Sequence, residues 1–285
     1  MFTPTNKLID LLPYFKNKLG ALYPESELEN LFYWVCDVKF GLQKFQVKQG
    51  DSRLTESELL AVRNIVNRLK KYEPIQYILG ETEFYNCKIK VDANTLIPRP
   101  ETEELVEWVL DHTFNGARIL DIGTGSGCIP IALKKSFASL EVSAIDISTT
   151  AIATAKESAE LNEVNIEFIE MDILDPNVEA LKEYDIIVSN PPYVLESDKV
   201  NMHHNVLVFE PHLALFVADQ NPLLFYKAIA KIGLDILSKS GLLFFEIHEN
   251  YGTETIEMLR QLGYQNIELR QDMQGKDRMI RCTRV

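Results

Sequence analysis

The chain has 285 residues, of which 46% are hydrophobic and 25% charged, and its 29 basic and 42 acidic residues give a net charge of −13. These proportions are those of a globular protein with one large domain or two unequal ones, and they exclude disordered, collagen-like and fibrous chains. No apolar run approaches the ~18 residues of a membrane span, and the first residues do not have the pattern of a signal peptide, so we expect no membrane association.

Residues 1–73 predict a small helical bundle. Apolar side chains recur at helical spacing from residue 8 onward. The capping-box spacing, a Ser or Thr followed three residues later by Glu, occurs at residues 26–29 and 55–58. In residues 74–95, Pro74 opens a short apolar turn, and strand-like residues then flank Asn86, a pattern that predicts a hairpin linker.

From residue 96 to the end, strands and helices alternate. The predicted helices are 101–113, 127–137, 148–162, 222–238 and 253–262. The predicted strands are 118–122, 141–145, 166–171, 184–189, 241–247, 265–270 and 278–284. This alternation predicts an α/β domain with a mainly parallel sheet and helices on both faces. The last two strands follow each other without a helix, so we expect one of them to run antiparallel.

A glycine-rich loop joins the first of these strands to a helix, and it consists of Gly123, Thr124, Gly125, Ser126 and Gly127. Such a turn needs positive φ and leaves no room for a Cβ beside a ligand. Asp146 ends the next strand, where a carboxylate can accept hydrogen bonds from ribose hydroxyls. Asp172 ends the third, within reach of an adenine or its sugar.

These three features follow strand carboxyl ends, where open α/β sheets bind ligands. Together they indicate an adenosine-containing cofactor, although each alone is also compatible with a tight turn or a helix cap. The spacing GxGxG, rather than the GxGxxG of dinucleotide sites, favours S-adenosylmethionine (SAM) over NAD. Asp121, beside the loop, could orient the amino group of such a cationic ligand.

The strand 184–189 runs into Asn190, Pro191, Pro192 and Tyr193. Two prolines end the strand and stiffen the backbone, but their carbonyl groups still accept hydrogen bonds. With the amide oxygen of Asn190 and the ring of Tyr193, the segment suits a planar NH₂ group conjugated to a carbonyl or a ring. Fixed acceptors would aim the nitrogen lone pair at a methyl group. A Pro-Pro loop of purely structural purpose is the alternative.

The NPPY segment at this place is shared by amide and adenine amino-methyltransferases, and other segments resemble one family, the HemK/PrmC protein-(glutamine-N5) methyltransferases. The matching segments are PIQYILG (74–80), EFY (83–85), TLIPRPETE (95–103), FEP (209–211), ALF (214–216), and Asp272 with GKDR (275–278). The combination of IPRPETE and NPPY in one chain is more specific than either segment alone.

The resemblance implies a class I SAM-dependent methyltransferase domain at 96–285, Rossmann-like with a seven-stranded, mostly parallel sheet. It also implies an N-terminal helical substrate-recognition domain at 1–73 and a β-hairpin linker at 74–95. The implied activity is methyl transfer from SAM to the N5 atom of the glutamine in the GGQ motif of class-1 peptide-chain release factors.

Site residues follow from the same likeness. The cofactor would contact Gly123, Thr124, Gly125, Ser126, Gly127, Asp146, Asp172, Ile173 and Asn190. The catalytic residues that hold the substrate amide would be Asn190, Pro191, Pro192 and Tyr193. Ile97 and Arg99 would border the pocket. Apart from the likeness, Glu101 and Glu103 lie at the predicted start of helix 101–113, where acidic residues cap a helix, or they approach the cofactor. Glu210 would brace the loop behind the site.

The remaining residues suggest no metal site and a cytoplasmic enzyme. The four cysteines are scattered without a CxxC pair, and none of the five histidines lies at metal-ligand spacing to them. Thiols spaced in this way are typical of a reducing compartment.

The main alternative is adenine-N6 methylation of nucleic acid, which needs the same acceptors together with base flipping and a basic groove. Residues 74–285 hold 18 basic and 33 acidic side chains, whereas residues 1–73 hold 11 and 9. The excess of acidic residues repels phosphates and favours a basic partner, unless it serves solubility alone. We therefore expect no direct nucleic-acid partner. A third possibility is a non-enzymatic interaction protein, because a fold alone does not prove activity.

Overall fold

The computed structural model describes residues 5–285, which divide into one unit ending at Gly80 and a second starting at Glu81. Among residues 5–80, the α-helices are α1 (Leu11–Leu19), α2 (Glu25–Phe40), α3 (Lys44–Gln49), α4 (Glu56–Leu69) and α5 (Ile75–Leu79). Their apolar faces form one core, in which Phe15 and Phe32 pack edge to face with ring centroids 5.2 Å apart.

One of the two predicted capping boxes forms. At α4, the Glu58 amide donates to the Thr55 hydroxyl at 3.3 Å, and the Glu58 carboxylate accepts from the Thr55 amide at 2.7 Å. The prediction at 26–29 is wrong, because α2 begins earlier, directly after Pro24. Glu29 instead forms an ion pair with a lysine of α1.

The second unit contains a hairpin and an α/β domain. Its helices are α6 (Pro100–Leu110), α7 (Cys128–Ser136), α8 (Thr149–Leu161), α9 (His204–Phe209), α10 (Leu224–Ile236) and α11 (Gly252–Gln261). Its strands are β1 (Glu81–Phe84), β2 (Cys87–Lys90), β3 (Arg118–Ile122), β4 (Glu141–Asp146), β5 (Glu167–Glu170), β6 (Tyr184–Ser189), β7 (Val194–Leu195), β8 (Phe216–Val217), β9 (Leu237–Glu246), β10 (Gln265–Gln271) and β11 (Asp277–Thr283).

Within residues 81–285, the main sheet has seven strands in the order β10-β11-β9-β6-β3-β4-β5. The pairs from β9 to β5 are parallel, and β11 pairs antiparallel with both of its neighbours. The expectation that one of the last two strands is antiparallel is therefore confirmed. The antiparallel strand is β11, which lies between β9 and β10.

Helices cover both faces of this sheet. On one face, α10 and α11 bury a core that includes Tyr226, Leu259 and Phe245. On the other face lie α6, α7 and α8, and Trp108 of α6 packs edge to face on Phe244 of β9 with centroids 5.3 Å apart. Within residues 5–285, every helix is too short or too polar to span a bilayer.

Two features differ from the predicted elements. The strand predicted at 241–247 starts at Leu237, because Leu237 pairs with Tyr184 before the register shifts at the following residues. Residues 190–223, which had no predicted structure, hold α9 and the short parallel pair of β7 and β8.

The hairpin of β1 and β2 turns at Tyr85 and Asn86, both with positive φ.

Candidate active site

A cavity of about 370 Å³ opens at the carboxyl ends of β3, β4, β5 and β6. In the strand order, β3 lies between β4 and β6, so the chain reverses its direction of travel across the sheet there. Crevices at such a switch point are where open α/β sheets bind their ligands. The cavity therefore lies where the sequence predicts a cofactor.

The glycine loop forms one wall of this cavity. Gly123 and Gly125 have φ of +76° and +54°, and a Cβ built on either would meet no atom within 4 Å, so both face open space. Gly127 has another role. A Cβ built there would lie 3.0 Å from the Cβ of Ala155, so this glycine allows α7 and α8 to approach each other closely. Gly127 is not among the described residues that line the cavity.

The two predicted aspartates at the strand ends, Asp146 and Asp172, both line the cavity. Asp146 accepts hydrogen bonds from the Gly125 amide at 2.8 Å and the Ser148 amide at 2.9 Å, which fixes the glycine loop to the end of β4. Burial raises the pKa of Asp146, and these amide bonds oppose the rise. Each carboxylate oxygen keeps a lone pair that can accept from a ribose hydroxyl.

Asp121, on β3 just before the loop, is 0% exposed, and neither of its carboxylate oxygens has a hydrogen-bond partner among residues 5–285. Burial raises its pKa to about 7, and the neighbouring Thr124 hydroxyl only partly offsets the rise. Asp121 is not among the described residues that line the cavity, but an unpartnered carboxylate next to the glycine loop favours a ligand that carries a positive charge. These residues therefore fit SAM, which has a cationic amino group and an adenosyl group.

The NPPY segment forms the opposite wall. Asn190, Pro191 and Pro192 line the cavity. The Asn190 amide nitrogen donates to the Thr102 hydroxyl at 3.2 Å, which turns its amide oxygen away from Thr102. Tyr193 is not among the described residues that line the cavity, and its hydroxyl donates to buried Glu246 at 2.9 Å.

The IPRPETE segment is tied to the chain that follows NPPY. Arg99, which lines the cavity, donates to buried Glu210 at 2.6 Å, and the Ile97 amide donates to the same carboxylate at 3.3 Å. Ile97 itself is buried behind the wall. Glu103 accepts from the Tyr85 amide at 2.7 Å, so it holds the hairpin turn against the start of α6.

Sequence reasoning missed the functional contacts of Thr102 and Glu246. Thr102 lies within the IPRPETE segment, but no local sequence pattern indicates a functional role for its hydroxyl. Glu246 gives a usable signal, since a carboxylate at the end of the apolar run Leu242–Phe245 must find partners when buried. Its partners Thr102 and Tyr193 come from distant parts of the chain, so the sequence does not identify them.

Comparisons with known proteins agree with this geometry. Residues 101–213 match the family model of the methyltransferase small domain. A release factor glutamine methyltransferase of Flavobacterium psychrophilum is 46% identical over 273 residues, 94% of this chain and 95% of the relative. Another of the same name, from Bacteroides thetaiotaomicron, is 40% identical over 272 residues, 95% of this chain and 98% of the relative.

Solved methyltransferase structures share the fold. A methyltransferase from Pyrococcus furiosus aligns with a TM-score of 0.51 at 15% identity, covering 80% of this chain and 98% of its own. The catalytic domain of hMettl16, in complex with MAT2A 3'UTR hairpin 6, aligns at 0.53 and 16% identity, covering 80% and 82%. With the strand order above, these likenesses confirm the predicted class I methyltransferase fold.

Proposed function

Since the chain belongs to the family of release factor glutamine methyltransferases, we propose that it methylates the side-chain amide nitrogen of a release-factor glutamine with SAM as donor. The observation that carries this proposal is the 46% identity that extends over 94% of the chain. The chain is therefore an enzyme. The specific substrate that we propose is the glutamine of the GGQ motif in class-1 release factors. We place its activity in the cytoplasm, where termination of translation occurs.

The residues of the first wall serve the cofactor. When bound, SAM supplies an electrophilic methyl group on a sulfonium centre. Gly123 and Gly125 let the backbone approach it without a Cβ in the way. Asp146 accepts from ribose hydroxyls, and Asp172 and Ile173 border the adenosyl group. Asp121, which precedes the loop on β3 and is not among the described residues that line the cavity, offsets the positive charge. Thr124 and Ser126 complete this wall.

The residues of the second wall serve the substrate amide. An amide nitrogen is a poor nucleophile because its lone pair is delocalised into the carbonyl group. The amide oxygen of Asn190 and the backbone carbonyl of Pro191 accept the two N–H bonds and hold the nitrogen lone pair toward the methyl group. Positioning and fixed dipoles of this kind can supply much of a rate enhancement. The methylated nitrogen is strongly acidic and loses its proton without a dedicated base.

The sequence predicts that Tyr193 holds the substrate amide, and we assign it a supporting role instead. Its hydroxyl donates to Glu246 at 2.9 Å and it is not among the described residues that line the cavity, so it supports the NPPY segment from behind rather than contacting the substrate. The role of Gly127 is likewise to let α7 start close to α8 rather than to touch SAM.

A methyl-transfer assay with labelled SAM tests the proposal. Its substrates are an intact release factor, the same factor with the GGQ glutamine changed to alanine, and duplex DNA. We expect label on the intact factor alone, with the methyl located on the glutamine side chain by mass spectrometry. Label on DNA would instead support adenine-N6 methylation, which the acidic charge of residues 74–285 disfavours.

A further inference from the structure

A buried polar network adjoins Asn190, and one of its members, Thr102, also lines the cavity. Thr102 of α6 is 2% exposed and Glu246 at the end of β9 is 1% exposed. The Thr102 hydroxyl donates to Glu246 at 2.7 Å and accepts from the Asn190 amide nitrogen at 3.2 Å. The Tyr193 hydroxyl donates to the other oxygen of Glu246 at 2.9 Å. Two ends of the NPPY segment are thus linked through one carboxylate.

The chemistry of the three groups fixes the direction of each hydrogen bond. An ionised carboxylate only accepts, so Glu246 requires the single hydroxyl hydrogen of Thr102. The Thr102 oxygen can then only accept from Asn190. The amide nitrogen of Asn190 must therefore face Thr102, and its amide oxygen is left for the cavity.

If these hydrogen bonds ran in the opposite direction, the side-chain amide of Asn190 would be flipped. If Glu246 donated to Thr102, the Thr102 hydroxyl would be free to donate to the amide oxygen of Asn190. The Asn190 side chain would then turn its NH₂ group toward the substrate nitrogen, and two donors would face each other. Without a hydrogen-bond partner that only accepts, the Asn190 amide can adopt either orientation.

Hydrogen-bond donors and one cation support the ionised form of Glu246 against its burial. Burial, with a smaller effect of Glu101, raises the pKa of Glu246 above its ordinary value, and the hydroxyls of Thr102 and Tyr193 and the positive charge of Arg278 oppose this rise. Because a hydroxyl donates to each carboxylate oxygen, the geometry is that of an acceptor. Arg278 on β11 is in turn held by an ion pair to buried Asp272 at 3.1 Å. The cation that supports the carboxylate is therefore itself fixed in place.

We infer that Thr102 and Glu246 are positioning residues that orient the Asn190 amide with its oxygen toward the nitrogen to be methylated. This inference rests on the proposed function for the identity of the substrate, but the orientation of Asn190 is measurable without it. The alternative is a network that only ties α6 to β9. That role predicts a loss of stability without a selective loss of turnover.

The variants that separate these roles are Thr102→Val, which keeps the shape and removes the hydroxyl, and Thr102→Ser, which restores it. The matched control is Thr255→Val. Thr255 is also fully buried, and its hydroxyl donates to the Tyr251 carbonyl at 2.7 Å on α11, outside the cavity lining. Unfolding midpoints of all three establish that each variant is folded.

Two kinetic and binding results are expected. Thr102→Val lowers kcat for release-factor methylation by about tenfold or more, while Thr102→Ser and Thr255→Val stay within about threefold of the parent. The SAM dissociation constant, measured by calorimetry, stays within about threefold in Thr102→Val. A kcat loss no greater than that of Thr255→Val overturns the inference. So does an equal loss of SAM affinity, since Thr102 would then serve the cofactor.

A readout without turnover comes from the side-chain NH₂ signals of Asn190 in a ¹H–¹⁵N spectrum, assigned by their absence in Asn190→Asp. We expect slow hydrogen exchange in the parent and in Thr102→Ser, and faster exchange in Thr102→Val. Unchanged exchange in Thr102→Val overturns the inference. If the parent fails to methylate the release factor but its Asn190 signals respond in this way, the proposed function fails and the orientation of Asn190 stands.

Discussion

Two fully buried carboxylates beside the cavity differ in what surrounds them. Glu246 has a hydrogen-bond donor on each oxygen and a cation nearby. Asp121 has no hydrogen-bond partner among residues 5–285. A buried charge without partners is costly, so the two acids affect stability in different ways. Both oxygens of Glu246 have hydrogen-bond partners within the protein, whereas both oxygens of Asp121 lack them among residues 5–285.

The pH dependence of folding reports this cost at Asp121. Its pKa is 3.8 unfolded and about 7 folded, so between these values the folded protein holds a proton that the unfolded chain has lost. The free energy of unfolding therefore falls as pH rises through this window. Asp121→Asn removes that fall. We expect its stability relative to the parent to increase by at most about 4 kcal/mol from pH 4 to pH 8.

Urea unfolding of both proteins across this pH range measures the difference. Parallel stability curves for parent and variant would contradict the raised pKa of Asp121.

Asn190 is the residue that the proposed chemistry depends on most directly. Asn190→Ala removes the side-chain acceptor for the substrate amide, and we expect kcat to fall by about 100-fold or more. The SAM dissociation constant should change far less, because the glycine loop and Asp146 remain. The control is Asn115→Ala in an exposed turn. Turnover by Asn190→Ala equal to that of this control would exclude the assigned role.

At the scale of elements, the glycine loop joins β3 to α7, and its glycines act in two different ways. All three glycines of the loop have a positive φ, so alanine is strained at each position. At Gly127 the added Cβ would also meet Ala155 of α8 at 3.0 Å, whereas at Gly123 it would point into the cavity. A side chain at Gly127 therefore disturbs helix packing, and a side chain at Gly123 disturbs ligand binding.

Gly116 provides the control for these two effects, since it has φ of +77° and open space around a Cβ. We expect Gly116→Ala and Gly123→Ala to cost a similar ~1 kcal/mol of stability from strain alone. Gly127→Ala should cost about 1–3 kcal/mol more because of the contact with α8. Only Gly123→Ala should weaken SAM binding strongly. Denaturant unfolding and calorimetry separate the three, and equal stability of all three would contradict the packing role.

The elements that the sequence predicted well are those whose cause is local. Glycines that need positive φ, prolines that end β6, and acids at strand ends act within a few residues of themselves. By contrast, the bond between Thr102 and Glu246 joins residues 144 positions apart. The early start of β9 at Leu237 depends on its pairing with Tyr184. Such features follow from tertiary contacts, so sequence patterns did not reveal them.

At the scale of the whole molecule, every described residue that lines the cavity belongs to the unit that starts at Glu81. The helical unit has its own core, and the predicted bundle 1–73 carries 11 basic and 9 acidic residues against the excess of acids elsewhere. Its role as the substrate-recognition domain stays a prediction, together with the domain bounds 1–73, 74–95 and 96–285.

Removal of the helical unit tests that role. If residues 81–285 fold alone, as circular dichroism can establish, we expect SAM affinity to stay within about threefold of the full chain, because the cavity is retained. The KM for an intact release factor should rise about tenfold or more as binding surface is lost. A short glutamine peptide is the control substrate, and its KM should be equal for both chains. An unchanged KM for the intact factor would exclude a recognition role.

The place of β11 in the sheet has a consequence for the making of the protein. This strand follows β10 in the chain, yet it inserts between β9 and β10, so one edge of β9 stays unpaired until residues 277–283 have been made. Arg278, the cation beside Glu246, arrives with that strand. The charge of Arg278 therefore reaches Glu246 only when β11 pairs with β9, so the surroundings of the carboxylate behind Asn190 are completed by the closing of the sheet.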